Sequence, residues 1–313
     1  MNRTFILTAV LVTIFGLVLL FLVLKDDYTI QPDTTSEDEV YLAAGTSVSG
    51  GIDIIAENLE IPWEVAFLPE GDLLLTERPG RLLRIGRDRI VIEVSGVRHI
   101  GEGGLMGLAL HPRYADNSFI YLYMTTSDAG QIANRVERYR LSGSSLVERT
   151  LIIDGIAGSS IHDGGRIEFG PDGYLYITTG DAGDSSLAQE RDSLNGKILR
   201  VREDGSIPLD NPFGTAVYSY GHRNPQGLAW DNEGRLWSTE HGRSGFLSGY
   251  DELNLIKPGA NYGWPHIQGD ESRQAMIPPA AHSGPDYTWA PAGASFHKGR
   301  IFFAGLRGAR SEE

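Results

Sequence analysis

Cysteine is absent from all 313 residues, which excludes disulfides, thiolate metal sites, thiol nucleophiles and cysteine-linked lipid anchors. Any metal bound here takes oxygen or imidazole ligands. Basic side chains are scarce, 27 against 41 acidic ones for a net charge of -14, and no basic stripe breaks that balance. Such a surface repels a phosphate backbone and argues against nucleic acid as a partner. Helical periodicity is also missing. From about residue 51 the apolar residues come in short alternating runs punctuated by Gly, Pro, Asn and Asp, the pattern of an all-β body. A hydrophobic content of 41% gives that body a sizeable core.

One long apolar run is present. Residues 5–24, "FILTAVLVTIFGLVLLFLVL", carry no charge, about the ~20 residues a helix needs to cross the hydrocarbon core. The run meets Lys25, Asp26 and Asp27 instead of a small-residue cleavage site, so residues 1–25 are expected to be an uncleaved transmembrane anchor rather than a signal segment. Arg3 and the amino terminus favour an inside N-terminus, weakly opposed by Lys25. The body is then expected on the extracytoplasmic face, or secreted if the segment is cleaved. Residues 26–50 are rich in Asp, Glu, Thr, Ser and Gly and read as a flexible linker.

The β body, residues 51–313, contains an internal repeat. "FLPEGDLLLTE" from Phe67, "FGPDGYLYITTGD" from Phe169 and "WDNEGRLWSTEHG" from Trp230 share a turn dipeptide followed by an alternating strand. "LHPRYADNSFIYLYM" from Leu110 and "FHKGRIFFAGLRG" from Phe296 match more loosely, giving five copies. Each copy is a hairpin that cannot bury its own inner face, and stacking the units radially solves that. The copies start about 40 to 65 residues apart, which suits four-stranded blades with variable loops and predicts a β-propeller over a barrel or sandwich.

Five ordered blocks carry a family resemblance: "IPWEVAFLPEGDLLLTERPGRL" at Ile61, "GEGGLMGLALHP" at Gly101, "HDGGRIEFGPDGYLYITTGD" at His162, "GHRNPQGLAW" at Gly221 and "DELNLIKPGANYGWP" at Asp251. Over about residues 52–307 the chain resembles the soluble sugar dehydrogenases that depend on pyrroloquinoline quinone (PQQ), the glucose/sorbosone or aldose dehydrogenase family. The resemblance implies a six-bladed β-propeller and a quinoprotein that oxidises the anomeric carbon of an aldose to a lactone, with calcium beside the quinone.

Oxidising an anomeric hydroxyl requires removal of its proton as the hydride leaves, a task suited to a neutral imidazole. The resemblance places the base at His162, ahead of Gly164 and Gly165, which let the backbone turn tightly. A histidine that merely bonds a neighbouring carbonyl is the alternative. In "GHRNPQG", Arg223 can aim a planar charged fork at quinone oxygens and Asn224 can donate and accept; by resemblance both contact the quinone, while His222 is read as structural. A surface arginine in a polar turn is the competing reading. Glu102 lies where relatives place a polar residue near sugar and quinone. The same string is no dinucleotide fingerprint, because the third glycine of that motif is replaced by Met106 and the flanks are not a βαβ unit.

For calcium the resemblance implies the carbonyls of Gly242 and of Arg243, where relatives usually have proline, and for a second ion the acid of Glu252 with the carbonyl of Tyr262. An acidic turn that is only solvated is the alternative. His99, His111, His241, His266, His282 and His297 show no metal-ligand spacing and read as turn or surface residues. Trp63, Trp230, Trp237 and Trp264 read as blade packing, and Trp289 is a candidate flank of the pocket.

Relatives continue past the last hairpin with a basic residue, an arginine-rich loop and a closing strand; only Arg307 matches the first of these, as a further cofactor-binding candidate. A shortened gene product, a ring closed differently and a loss of activity all stay open. The expected partners are an aldose, an electron acceptor the sequence does not identify, and a membrane through the N-terminal run. Two other readings are a catalytically impaired propeller that binds a sugar or protein, and a calcium-dependent lactonase-like hydrolase.

Overall fold

The computed structural model describes residues 17–21, 53–128, 130–243 and 249–306. Four antiparallel four-stranded sheets follow one another along the chain. The first comprises β3 (Pro62–Phe67), β4 (Leu73–Glu77), β5 (Arg81–Ile85) and β6 (Arg89–Glu93), and the second β7 (Leu105–Leu110), β8 (Phe119–Asp128), β9 (Gln131–Ser142) and β10 (Ser145–Ala157). The third comprises β11 (Ile167–Phe169), β12 (Leu175–Thr179), β13 (Lys197–Val201) and β14 (Val217–Tyr220), and the fourth β15 (Pro225–Trp230), β16 (Leu236–Glu240), β17 (Glu252–Ile256) and β18 (Ala281–His282). A two-stranded sheet, β19 (Pro291–His297) with β20 (Arg300–Gly305), starts the next unit.

The fold is propeller-like, and each of the five hairpins read from the sequence joins the first two strands of a sheet. The count of six blades gains no support: the described residues hold four complete blades and two strands of a fifth. The sixth rested on resemblance and on no hairpin in the text.

The transmembrane expectation gains no support either. Most of residues 5–24 and all of the expected linker, residues 26–50, lie outside the described residues. Within the run, β1 (Leu17–Phe21) pairs antiparallel with β2 (Asp53–Leu59), and among the described residues no helix is long and apolar enough to cross a membrane. A short stretch of Leu, Val and Phe suits a strand as well as a helix, so its period alone does not choose.

The blade turns repeat in hydrogen bonding as well as in sequence. In the first, Gly71 N–H donates to Leu68 O at 2.9 Å and Leu68 N–H to Asp72 O at 2.8 Å. The third and fourth blades repeat this with Gly173 to Gly170 and Gly170 to Tyr174, then Gly234 to Asp231 and Asp231 to Arg235. The turn glycines have φ of 97°, 77° and 74°, a left-handed backbone that glycine adopts without a Cβ penalty.

The core lies between blades. Leu74 and Leu82 of the first blade pack with Leu105, Ile120 and Met124 of the second. Tyr121, Tyr123 and Val136 of the second pack with Ile167, Ile177 and Leu199 of the third, and Tyr176 and Ile198 of the third with Leu228 and Leu236 of the fourth. Strands β4, β12 and β13 are buried at every position, because a central strand is covered on both faces. Each such Leu or Ile contributes about 1.5–3 kcal/mol by leaving water. Trp230 packs edge-on to Tyr176 at 5.2 Å, as expected of blade packing. Antiparallel order alternates the connections between two ends: the short turns above lie at one, and the loops leading into β11, β13, β15 and β17 gather at the other.

Candidate functional site

His162 lies on the loop entering β11 with φ of 57°, a left-handed conformation that is uncommon outside glycine and persists only when its surroundings fix it. The fixing contacts are explicit. Its N–H donates to Glu102 Oε2 at 2.8 Å, and its carbonyl accepts from Ala182 N–H at 3.1 Å. A Cβ on Gly180 would stand 1.8 Å from that same carbonyl oxygen, so only glycine fits at 180.

The His162 ring is oriented from the end of β12. Nδ1 lies 2.7 Å from Asp181 Oδ1, with 12% of the His162 side chain exposed. Asp181 Oδ1 also accepts from Gly183 N–H at 2.8 Å, and Oδ2 from Trp264 Nε1 at 2.9 Å. Burial alone would raise this carboxyl, but the hydrogen bonds from His162, Gly183 and Trp264 hold it below the usual carboxylate range. An ionised Asp181 accepts a hydrogen bond from Nδ1–H, which keeps the ring proton on Nδ1 and the lone pair on Nε2.

The same cluster reaches the loop before β15. Asp181 N–H donates to the carbonyl of Arg223 at 2.8 Å. Arg223 is buried, its guanidinium 5.4 Å from the Trp264 ring. Burial lowers its pKa, while Asp181, Glu240, Glu102 and Asp251 favour the charge. Asn224 Oδ1 accepts from Gly164 N–H at 3.0 Å and from Gln226 Nε2 at 3.1 Å. No hydrogen bond from its Nδ2 to a described residue is found.

Asp163 anchors the His162 loop from below. Oδ1 accepts from Asn134 Nδ2 at 2.8 Å and Ser159 N–H at 3.0 Å, while the buried Oδ2 has no hydrogen-bond partner among the described residues. Burial pushes this carboxyl up to about 6.

Beside Arg223 lies a cavity of about 10 Å3, lined among others by Glu240, Gly242, Arg243, Glu252 and Trp264, with room for one water or ion. Gly242 N–H donates to Asp251 Oδ1 at 2.8 Å. Asp251 Oδ2 accepts from Thr288 Oγ1, Trp289 N–H and Ala290 N–H, so one buried carboxylate ties two loops. Asn254 Nδ2 donates to Glu240 at 3.3 Å and to Glu252 at 3.0 Å, and its buried Oδ1 has no hydrogen-bond partner among the described residues. Burial, reinforced by neighbouring Glu240, pushes the Glu252 carboxyl up to about 8.

Contacts therefore link Glu102, His162, Arg223 and Asn224, and Gly242, Arg243 and Glu252 share the cavity with Arg223. Tyr262 is not among the lining residues; its ring stacks on His222 at 4.8 Å. Arg307 lies outside the described residues. Three expectations are corrected. Trp264 was expected in blade packing, but its indole bonds Asp181; its position after a glycine-rich turn was the available hint. His111, expected at a turn or surface, is buried with Nε2 against Glu203, because the neighbouring blade covers it. His241 lines the cavity, its Nε2 2.8 Å from Pro291 O. Sequence reasoning also missed Asp181 and Glu240, acids at the ends of buried strands, where a charge needs a partner.

A larger cavity of about 340 Å3 lies at the short-turn end, lined by Tyr176, Tyr218 and Trp230 among others and by none of the site residues above.

A family model described as Glucose / Sorbosone dehydrogenase matches residues 59–308. A PQQ-bound aldose sugar dehydrogenase from Streptomyces coelicolor is 43% identical, with a TM-score of 0.75 over 81% of this chain and 77% of that one. Quinoprotein glucose dehydrogenase B of Acinetobacter calcoaceticus is 34% identical over 69% of this chain and 52% of its own. Aldose sugar dehydrogenase YliI of Escherichia coli is 36% identical over 68% of this chain and 61% of its own. The chain thus spans about half to two thirds of the length of the curated relatives it matches.

Proposed function

Because the chain belongs to the glucose/sorbosone dehydrogenase family, we propose that it oxidises the anomeric hydroxyl of an aldose to a lactone as a PQQ-dependent oxidoreductase. The observation that carries this reading is the His162–Asp181 pair held within one network with Arg223 and Asn224.

The residues present fit both absent groups. Buried Glu240 and half-buried Glu252 share a cavity with backbone at Gly242 and Arg243, beside Asn254 Oδ1, which has no hydrogen-bond partner among the described residues. Hard oxygen donors converging on a space for one ion suit calcium; Tyr262 does not line that space, and its carbonyl is proposed only for a second ion. That space is too small for a quinone, which is assigned instead to the Arg223 guanidinium, the Asn224 Nδ2 donors, Glu102 and Arg307. When bound, the quinone supplies the hydride acceptor and calcium polarises it.

The protein's own share is proton transfer and orientation. His162 Nε2 accepts the hydroxyl proton as the C–H bond breaks, and Asp181 stabilises the resulting imidazolium. Arg223 supplies fixed positive charge where negative charge gathers. Glu102 holds the His162 backbone in place. We further propose a six-bladed ring on the extracytoplasmic face, tethered by residues 5–24, whose length supports that placement.

A hydrolase reading would turn to Ser219, His222 and Glu240, linked by two contacts of 2.8 Å. All three are buried, at 0%, 0% and 2% exposure, so a substrate cannot reach the serine. Purified apo protein given PQQ and Ca2+ is expected to reduce an artificial dye with aldoses. Absence of dye reduction together with an unchanged quinone spectrum would favour a binding propeller instead.

A further inference from the structure

Arg166 stands two residues beyond Gly164, and its side chain is 9% exposed. Its guanidinium pairs with Glu64 of β3, and its Nε donates to the Gln226 carbonyl of β15 at 2.9 Å. The charge lies 4.2 Å over the Trp63 ring, and a Cβ on Gly293 of β19 would come within 2.9 Å of Nη2. Its own backbone is locked to β12, where Arg166 N–H donates to Thr178 Oγ1 at 2.9 Å. One side chain therefore bonds the first and fourth blades from the third and abuts the fifth. A surface salt bridge does nothing comparable, whereas a buried fork fixed by several half-buried partners is geometrically determined.

From Gln226 the contacts run directly into the candidate site. Its Nε2 donates to Asn224 Oδ1 at 3.1 Å and to the Gly164 carbonyl at 3.2 Å, and Gly164 N–H donates to Asn224 Oδ1 at 3.0 Å. Arg166 thus fixes the Gln226 backbone, Gln226 fixes the Asn224 amide, and Asn224 fixes the loop whose preceding residues include His162.

We propose that Arg166 is a positioning residue: through Gln226 it holds the Asn224 amide and the His162 loop in the orientation that a ligand on this face requires. For the cofactor this rests on the quinone reading of Asn224 above. The device has a physical rationale in a propeller, whose blades meet only through packed faces and whose loops come from different blades. A cation bonded across those blades converts blade positions into one fixed geometry for the site.

The test uses the full chain with Arg166→Lys, Arg166→Met and Gly293→Ala, the last pressing a methyl group against Nη2 without deleting the arginine. In apo protein, hydrogen exchange of the Gly164 amide is measured relative to that of Ile177 in β12. The expected result is a selective rise of tenfold or more at Gly164 in Arg166→Met, and a smaller rise in Gly293→Ala and in Arg166→Lys, which keeps the charge but loses the fork. Quinone titration is then expected to weaken in the same order, again by tenfold or more in Arg166→Met. If Gly164 and Ile177 change together, or neither changes in Gly293→Ala, Arg166 is merely part of the packing and the proposal is overturned. A wild-type protein that binds no PQQ would overturn the quinone reading alone, because the exchange result is independent of it; wild-type binding that the variants leave unchanged would overturn the proposal alone.

Discussion

Nδ1 of His162 and Oδ1 of Asp181 lie 2.7 Å apart, joining the loop before β11 to the end of β12. This contact fixes which ring nitrogen is available to accept a proton. Asp181→Asn removes the negative charge while preserving most of the shape. Turnover is expected to fall on the order of 10²–10⁴-fold, with KM changing far less, as for an orienter whose charge matters in the transition state. Steady-state kinetics on reconstituted protein check this; equal effects on kcat and KM would point to a distorted site.

Gly180→Ala tests the packing that holds His162 in its left-handed conformation. The added methyl would overlap the His162 carbonyl at 1.8 Å, so the loop must shift. A loss of about 1–3 kcal/mol in urea unfolding is expected, as for overpacking elsewhere, accompanied by loss of turnover. Wild-type stability with wild-type turnover would show that the loop yields freely.

Asp163 gives a pH signature. Burial raises its carboxyl to about 6, above the roughly 4 of an unfolded chain, so the native state holds more protons in that interval. Its contribution to stability is therefore full below about pH 4 and lost as pH rises through 6. Asp163→Asn is expected to gain roughly 2 kcal/mol relative to wild type between pH 4 and pH 7.5. Urea unfolding at both values checks the sign; a difference that is flat with pH contradicts it.

Calcium is expected to raise the melting temperature, because a ligand that binds only the folded state stabilises it by mass action. Glu252→Gln is expected to abolish most of that shift while leaving the chelated protein folded. An undiminished shift in the variant would move the ion away from this cavity.

The hairpins were legible because each repeats a local turn chemistry. His162, Arg223 and Asn224 were legible because their blocks resemble a family. Their partners were not, since Asp181 is separated by 19 residues from His162 and Trp264 by 83 from Asp181. Such contacts arise where loops from the same end of one blade or of neighbouring blades converge, and no local period encodes them. Residues 5–24 are ambiguous for a different reason: Leu, Val and Phe in a short run satisfy helix and strand alike, and of that run the described Leu17–Phe21 is paired as a strand. Arg166 escaped notice because its value lies in partners on three other strands.

The most direct measurement mixes protein loaded with Ca2+ and PQQ with an aldose and follows quinone reduction in a single turnover, for wild type and His162→Ala. The account predicts unchanged quinone affinity and a reduction rate lower by 10² or more in the variant. Equal rates in the two proteins would contradict it.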